Sequence, residues 1–168
     1  MIIVRKNIIQ QVGMYPKPWI SFLWSAMFPG FGQLYNRDYI MGITLLILET
    51  VINYMAKLNL CIYYVFNGDF EQALKNIDFQ WILFYPAIWS FSMWQAYDYA
   101  VAIKTYHEFS GMPKQQRSNN AGAFIGLNLG LLFGTLWHHQ LIIFWGLGMG
   151  AAGFIVGYYI EKVLRCKR

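Results

Sequence analysis

The sequence predicts an all-α, polytopic integral membrane protein, a single bundle of helices that crosses the bilayer four or five times. Charged residues make up only 12% of the 168 residues and aromatic residues 19%, whereas a soluble domain has about 25% charged residues. Apolar segments recur, and the stretch 118–160 contains no Lys, Arg, Asp or Glu. At about 1.5 Å per helical residue, each half of that stretch is about long enough to cross a hydrocarbon core of about 30 Å.

Five apolar segments are predicted, and the first two form a hairpin over 19–66. The first, 19–35, is barely long enough to span and is interrupted by a Pro-Gly pair. The second, 39–66, would be about 42 Å long as one helix, more than the hydrocarbon core requires. We therefore expect this span to end near Ala56, with the remainder tilted or lying in the membrane interface.

The middle of the chain is predicted to hold a surface helix and the third span. In 67–80, Asp69 and Gln72 have capping-box spacing and apolar residues follow at helical spacing, which favours a short amphipathic helix on the membrane surface. The third span is predicted over 81–103. A polar linker then leads to a glycine-rich helical hairpin over 121–160, and the whole chain forms one membrane domain.

The basic residues predict the orientation, because Lys and Arg favour the cytoplasmic side of membrane proteins. With five spans and an external N-terminus, 8 of the 13 Lys and Arg residues face the cytoplasm. If the first segment only dips into the bilayer and returns, four spans remain and the count becomes 11 against 2. Both arrangements place the C-terminus in the cytoplasm, and we expect a location in the cell membrane.

The stretch 29–42, PGFGQLYNRDYIMG, predicts a tight turn at a membrane surface. The proline removes a helix hydrogen bond, and two glycines allow sharp bending and close backbone approach. Gln33, Tyr35 and Asn36 can bond the freed backbone groups, and a glycine in the next helix lets that helix lie close to the first. The predicted turn motif consists of Pro29, Gly30, Gly32, Gln33, Tyr35 and Gly42.

This turn motif resembles that of bacterial TM-two domain and related small membrane proteins, in which a helix ending in PGxGQxYxG-like residues turns into a second helix. All six residues match as they stand, and Asn36-Arg37-Asp38 occupies the loop where such proteins often carry a glycine. The stretch 93–103 is similar to a later helix of some of these proteins, so the resemblance covers about a third of the chain. The family is mostly without assigned chemistry, so the resemblance implies a structural turn more than an activity.

Glycines recur at helical spacing on both predicted helices of the last hairpin. Small residues at this spacing let membrane helices approach until their backbones touch. Either the two ridges pack on each other within one chain, or one ridge meets another subunit in a homo- or hetero-oligomer. Asn128, among the glycines, is expected to join helices through hydrogen bonds. The ridges consist of Gly122, Gly126, Gly130 and Gly134, and of Gly146, Gly150, Gly153 and Gly157.

Five polar residues are predicted at membrane depth. Glu49 lies about 15 Å into the second segment, and Asn53 and Lys57 follow on roughly the same helix face. Ionisable groups in spans are costly and usually face the bundle interior, so they are functional candidates by default. Glu49 is either a structural group, protonated or bonded to Asn53 or a neighbouring helix, or an ion or proton site. Gln95 and Asp98 of the third span can bond the turn or bind a ligand.

The histidines do not predict a metal site. His138 and His139 are adjacent, so on a helix they point about 100° apart, and no Cys or carboxylate lies near them in sequence. His107 and Glu108 are predicted on the opposite face of the membrane. No nucleotide-binding, hydrolase or metalloprotease motif is present either. We therefore expect no metal, no cofactor and no catalysis.

The sequence favours a non-catalytic role, as an assembly, scaffold or accessory subunit. The alternative is a small transporter or channel component that uses Glu49. Transport requires a water-accessible Glu49, whereas an enzyme requires several polar groups that converge on one membrane face. The lipid bilayer is the expected partner. Nucleic acid is not, since membrane orientation explains the basic residues better.

Overall fold

The computed structural model describes residues 15–108, 120–137 and 142–166, and within these ranges the chain is helical and has no strand. The all-α prediction is therefore confirmed for the described part of the chain. The helices are α1 (Pro18–Met27), α2 (Phe31–Tyr35), α3 (Tyr39–Ala56), α4 (Leu58–Phe66), α5 (Phe70–Asn76), α6 (Phe79–Ile82), α7 (Tyr85–Glu108), α8 (Ala121–Trp137) and α9 (Ile142–Cys166).

The N-terminal segment turns back on itself after a short helix. α1 has 10 residues and is therefore about 15 Å long, about half the thickness of a hydrocarbon core. Gly30 then adopts φ 102°, a left-handed conformation that glycine takes without strain. The turn directs α2 back along α1, so that Gln33 lies beside Ser25 and Asn36 beside Ser21.

The second predicted segment is divided into two helices, as the sequence predicts. α3 ends at Ala56, and Lys57 adopts the left-handed conformation with φ 55°. A non-glycine residue in this conformation is uncommon and marks a sharp change of chain direction. α4 follows as a separate helix of 9 residues.

Three short helices, α4 to α6, pack together at one end of the bundle around an apolar cluster. Ala56, Cys61 and Ala73 lie at its centre and are at most 1% exposed. The Asp69 carboxylate accepts the backbone N–H of Gln72 at 3.1 Å, which caps α5 at the predicted start of the surface helix.

The predicted third span is interrupted near its start. α6 ends at Ile82 and α7 begins at Tyr85, so a short turn divides the predicted range 81–103. Pro86 lies in the first turn of α7, where its missing N–H costs no helix hydrogen bond. α7 also continues beyond the predicted end, to Glu108.

α7 packs against α1 on one side and α8 on the other. It runs antiparallel to α1, because Trp89 donates its indole N–H to the Ala26 carbonyl at 2.9 Å while Tyr97, further along α7, contacts Trp19 at the start of α1. The apolar contact between α7 and α8 is made by Met93, Phe124, Leu127 and Leu131.

Among the described residues, two helices are long and apolar enough to cross a membrane. They are α3 and the part of α9 from Ile143 to Cys166, while α8 is apolar but has 17 residues. Only 28% of the apolar window of α3 and 17% of that of α9 are buried within the protein. The core helix of a soluble protein, by contrast, is mostly buried.

Candidate functional site

Buried polar side chains join the N-terminal turn to α7. Three serines and Gln33 have no exposed surface, and Asn36 is 3% exposed. Polar groups removed from water cost free energy unless they are hydrogen-bonded, so their partners decide what this region can do. We call Ser21, Ser25, Gln33, Asn36, Ser92 and Gln95 the polar cluster.

Gln33 is the centre of the polar cluster. Its amide nitrogen donates to the backbone carbonyl of Ser92 and to the Gln95 Oε1, both at 2.8 Å. Its amide oxygen accepts from the hydroxyls of Ser25 at 3.1 Å and Ser92 at 3.3 Å. These four bonds fill the donor and acceptor positions of the side chain, which leaves none for a ligand.

The turn also bonds α7 through its backbone and through Asn36. The Gly30 N–H donates to the Ser92 hydroxyl at 3.0 Å. The Asn36 amide donates to the Ala96 carbonyl at 2.7 Å and accepts from the Ser21 hydroxyl at 2.5 Å. The sequence predicts that the polar residues bond the freed backbone of their own turn. In the structure they bond α1 and α7, because α7 packs directly against the turn.

Close packing explains two further glycines of the turn motif. A Cβ added to Gly32 would lie 2.8 Å from the Cβ of Ala96, and one added to Gly42 would lie 2.7 Å from the Leu34 side chain. Pro29 is fully buried beside them. Tyr35 is 39% exposed and lies outside the polar cluster. The fold therefore brings together every residue of the turn motif except the Tyr35 side chain.

Gln95 and Asp98 are the two polar residues predicted in the third span, and both lie on α7. Gln95 accepts from Gln33 and donates to the Asp38 carboxylate at 3.4 Å, so it bonds the turn, one of the two roles expected for it. Asp98 lies one turn further along α7 and is partly buried.

Glu49 is buried elsewhere in the bundle, at 3% exposure. The Asn53 amide nitrogen donates to the Glu49 Oε1 and to the Asn59 Oδ1, both at 3.2 Å. Tyr85 of α7 interacts electrostatically with the Glu49 carboxylate. Lys57 is exposed at the end of α3. The predicted intramembrane residues thus form two separate groups, one around Glu49 and one within the polar cluster.

The two glycine ridges face each other within the chain. A Cβ added to Gly122 would lie 2.9 Å from the Gly157 carbonyl oxygen, so the backbones of α8 and α9 are in contact. The sequence left two arrangements open: the ridges pack on each other within one chain, or one ridge meets another subunit. In the structure, α8 and α9 of the same chain pack on each other through these glycines. Gly122 and Gly157 face each other, as do Gly126 and Gly153. A Cβ added to Gly130 or Gly134 would lie 3.0 or 2.9 Å from the Cα of Gly150 or Gly146, whereas one added to Gly150 would meet the Leu131 side chain.

Glu161 has a structural role that the sequence analysis missed. Its carboxylate accepts the backbone N–H groups of Gly122 at 2.7 Å and Asn120 at 3.2 Å. It therefore caps the N-terminus of α8, where unpaired N–H groups and the helix dipole favour a negative charge. Arg165, one turn later on α9, forms an ion pair with Glu161. The only sequence signal was a carboxylate directly after the charge-free stretch.

Asn128 does not join two helices as expected. Its Oδ1 is buried and has no hydrogen-bond partner among the described residues. The side chain lines a cavity of about 310 Å³ between α7 and α8, together with Ser90, Trp94 and Phe124.

No group of three His, Cys, Asp or Glu that could hold a metal ion occurs in the described ranges. His138 and His139, and the side chains of His107 and Glu108, lie outside the residues that the structure describes.

The fold and site define an all-α protein in which two helices could cross a membrane. Comparison with protein-family models, curated proteins and solved structures finds no match to this chain. The resemblance of the turn motif to TM-two domain proteins stays a prediction.

Proposed function

We propose that this chain is a cell-membrane protein with a non-catalytic role, as an assembly, scaffold or accessory subunit. The exposure of its apolar helices carries the membrane part of this proposal. On α9, the side chains of Ile155, Val156 and Leu164 are each more than half exposed, at 56%, 56% and 61%. Continuous apolar surface of this kind is unfavourable in water, and a lipid bilayer would cover it.

The turn between α1 and α2 supports four spans, formed by α3, α7, α8 and α9. Lys17 and Arg37 line one cavity together with Ile103 near the end of α7, so these residues lie at the same end of the bundle. Lys57 and Lys75 belong to the opposite end, with α4 to α6. The positive-inside rule makes the end with Lys17 cytoplasmic. Four spans place both termini there.

The polar cluster supports a structural role for the turn motif. Its hydrogen bonds connect α1, α2 and α7, and Gln33 has no free hydrogen-bonding position. A satisfied buried network specifies one arrangement of helices, whereas a catalytic site leaves polar groups free for its substrate.

The assembly role is supported by a groove on the outer face of the glycine-rich hairpin. Close approach of α8 and α9 leaves an apolar groove of about 730 Å³ whose lining includes Gly126, Leu129, Ala152 and Val156. Membrane helices associate through small residues and shape complementarity. We assign this groove to a helix of a partner membrane protein.

Two neighbouring alanines test the assembly role. Ala151 and Ala152 are both exposed on α9, and Ala152 lines the groove while Ala151 does not line it. Ala152→Phe should fill the groove and abolish recovery of partner proteins when the tagged chain is purified from its native membrane. Ala151→Phe is the matched control and should recover them. Equal recovery with both variants would contradict the assignment of the groove.

A second candidate function is a small transporter or channel component. One observation favours it: Glu49 is 3% exposed, yet Asn53 connects it to Asn59, which is exposed. A path from the surface to a buried carboxylate is what ion movement requires.

A further inference from the structure

A buried amide oxygen in the cavity between α7 and α8 has no hydrogen-bond partner. Asn128 lies near the middle of α8, and its Oδ1 accepts no hydrogen bond from the described residues. An oxygen that loses water and gains no donor is unfavourable, and buried acceptors in folded proteins pair with a protein group, a water molecule or a ligand. A ligand that donates a hydrogen bond would supply the missing partner.

Small residues create the cavity beside the contact of α7 with α8. Its lining on α7 consists of Ala87, Ser90, Phe91 and Trp94, which have i, i+3, i+4 and i+7 spacing and therefore share one helix face. The four lining residues of α8 have the same spacing and end at Asn128. Because the side chains of Ala87 and Ser90 are short, they leave a space between the two faces.

The volume and the lining of the cavity fit an aromatic ring. A cavity of about 150 Å³ lined by apolar side chains holds benzene. The cavity beside Asn128 has a volume of about 310 Å³. Phe91, Trp94 and Phe124 supply aromatic surface, and aromatic rings pack favourably edge-to-face or offset. One substituted ring therefore fits next to the Asn128 amide.

A ring with a hydroxyl group suits this cavity better than water or a hydrocarbon chain. A buried water molecule needs about two to four polar partners, whereas most of the lining surface is apolar. A hydrocarbon chain fills the volume but leaves the Asn128 oxygen unpaired. Ser90 does not supply the missing donor, because its hydroxyl donates to the Ala87 carbonyl at 3.3 Å. A hydroxyl group both donates and accepts, so it pairs with either edge of the amide.

The cavity opens at the outer surface of the two helices. Phe91 and Ile125 both line it, and they are 41% and 61% exposed. In the proposed membrane arrangement this surface faces lipid, so the ligand enters from the bilayer and must be lipid-soluble.

We propose that the cavity between α7 and α8 binds a lipid-soluble aromatic alcohol of the phenol class. The ligand hydroxyl donates a hydrogen bond to the Asn128 Oδ1, and the ring packs against Phe91, Trp94 and Phe124. This site goes beyond the assembly role, since Asn128 does not line the groove assigned to a partner helix. It rests only on the proposed membrane placement.

Photoaffinity labelling tests the site in the full-length protein in lipid nanodiscs. The probe is para-butylphenol with a diazirine in its alkyl chain. After irradiation, mass spectrometry of the digested protein should find the label on the cavity residues of α7 or α8. Unmodified para-butylphenol should compete about tenfold more effectively than its methyl ether, because the ether cannot donate a hydrogen bond to Asn128.

Two alanine variants show whether the cavity holds the probe. Ala87 is exposed and lines the cavity, so Ala87→Phe should fill it and abolish the label while Asn128 stays unchanged. Ala151→Phe is the matched control, because Ala151 is an exposed alanine of α9 that does not line the cavity. It should be labelled like the parent. Monodisperse elution shows that each variant is folded.

Asn128→Leu distinguishes a ligand-binding amide from a structural one. The change removes an unpaired oxygen at similar side-chain volume, so the variant without ligand should unfold at or above the parent temperature in detergent. The phenol and its methyl ether should then compete equally, because neither can bond the leucine. A clearly lower unfolding temperature would show that the amide has a structural partner and would contradict the proposal.

Three further results would overturn the binding site. The first two are equal competition by the phenol and its ether in the parent, and undiminished labelling of Ala87→Phe. The third is an unlabelled cavity together with loss of co-purifying proteins from Asn128→Leu, which would assign the amide to a partner helix instead. Sedimentation with native membranes tests the placement separately. A soluble chain with a labelled cavity would remove the membrane placement and leave the site, so the two failures are distinguishable.

Discussion

At the scale of single residues, full hydrogen bonding distinguishes Gln33 from Glu49. Both side chains are buried, at 0% and 3% exposure. Gln33 makes four hydrogen bonds within the protein, whereas Asn53 supplies one to Glu49. A buried group with all its partners stabilises one packing arrangement.

Gln33→Leu should destabilise the protein strongly. The change leaves the Ser92 carbonyl and the Gln95 side chain without partners in the interior, and each unpaired buried group costs about 1–3 kcal/mol. We expect the free energy of unfolding to fall by at least about 2 kcal/mol, measured by thermal unfolding in detergent. Tyr35→Leu, in the same motif but exposed, is the control and should unfold near the parent temperature.

At the scale of elements, the α8–α9 hairpin is held by backbone contact and by a charge at its end. Small residues replace the hydrophobic effect as the means of association between helices in lipid. Glu161 of α9 adds a second constraint, because its carboxylate accepts a backbone N–H at the N-terminus of α8. The hairpin register therefore depends on glycine positions at several levels and on one carboxylate.

Gly126→Leu should separate α8 from α9. A Cβ at Gly126 would lie 2.9 Å from the Gly153 carbonyl carbon, so the larger side chain would hold the backbones apart by several ångströms. We expect a lower unfolding temperature and an altered oligomer size in detergent. Gly148→Leu on α9 is the matched control, since a Cβ there meets nothing within 4 Å. Equal stability of the two variants would show that the ridges do not hold the hairpin.

At the scale of the whole molecule, the proposed four-span arrangement depends on the short α1–α2 turn. The turn returns the chain to the end at which α1 begins, so under this proposal α1 and α2 do not cross the bilayer and four helices do. Lys17 and Arg37 lie together at that end. The proposed orientation therefore depends on where the chain turns as well as on its charges.

The C-terminal segment EKVLRCKR should be cytoplasmic, because it places four basic residues at the end of the last predicted span. A reporter that is active only outside the cytoplasm should be silent when fused after Arg168. The same reporter after Gly13 should also be silent if there are four spans, and active if there are five. Activity of the fusion after Arg168 would contradict both arrangements.

The sequence by itself determined the all-α class, the division near Ala56 and the spacing of the glycine ridges. These features depend on local composition and helical periodicity, which residues close in the chain express directly. It also identified the turn motif, because proline and glycine act on their own backbone.

Only the tertiary structure decided which distant residues meet. Gln33 bonds Ser92 and Gln95, about 60 residues away, and Glu161 caps a helix that begins about 40 residues earlier. Helical periodicity says which face a residue occupies, but the partner of that face depends on how helices pack. The sequence therefore identifies polar residues of the interior, but only the fold shows how many hydrogen bonds each one makes. Gln33 makes four, whereas Glu49 accepts one.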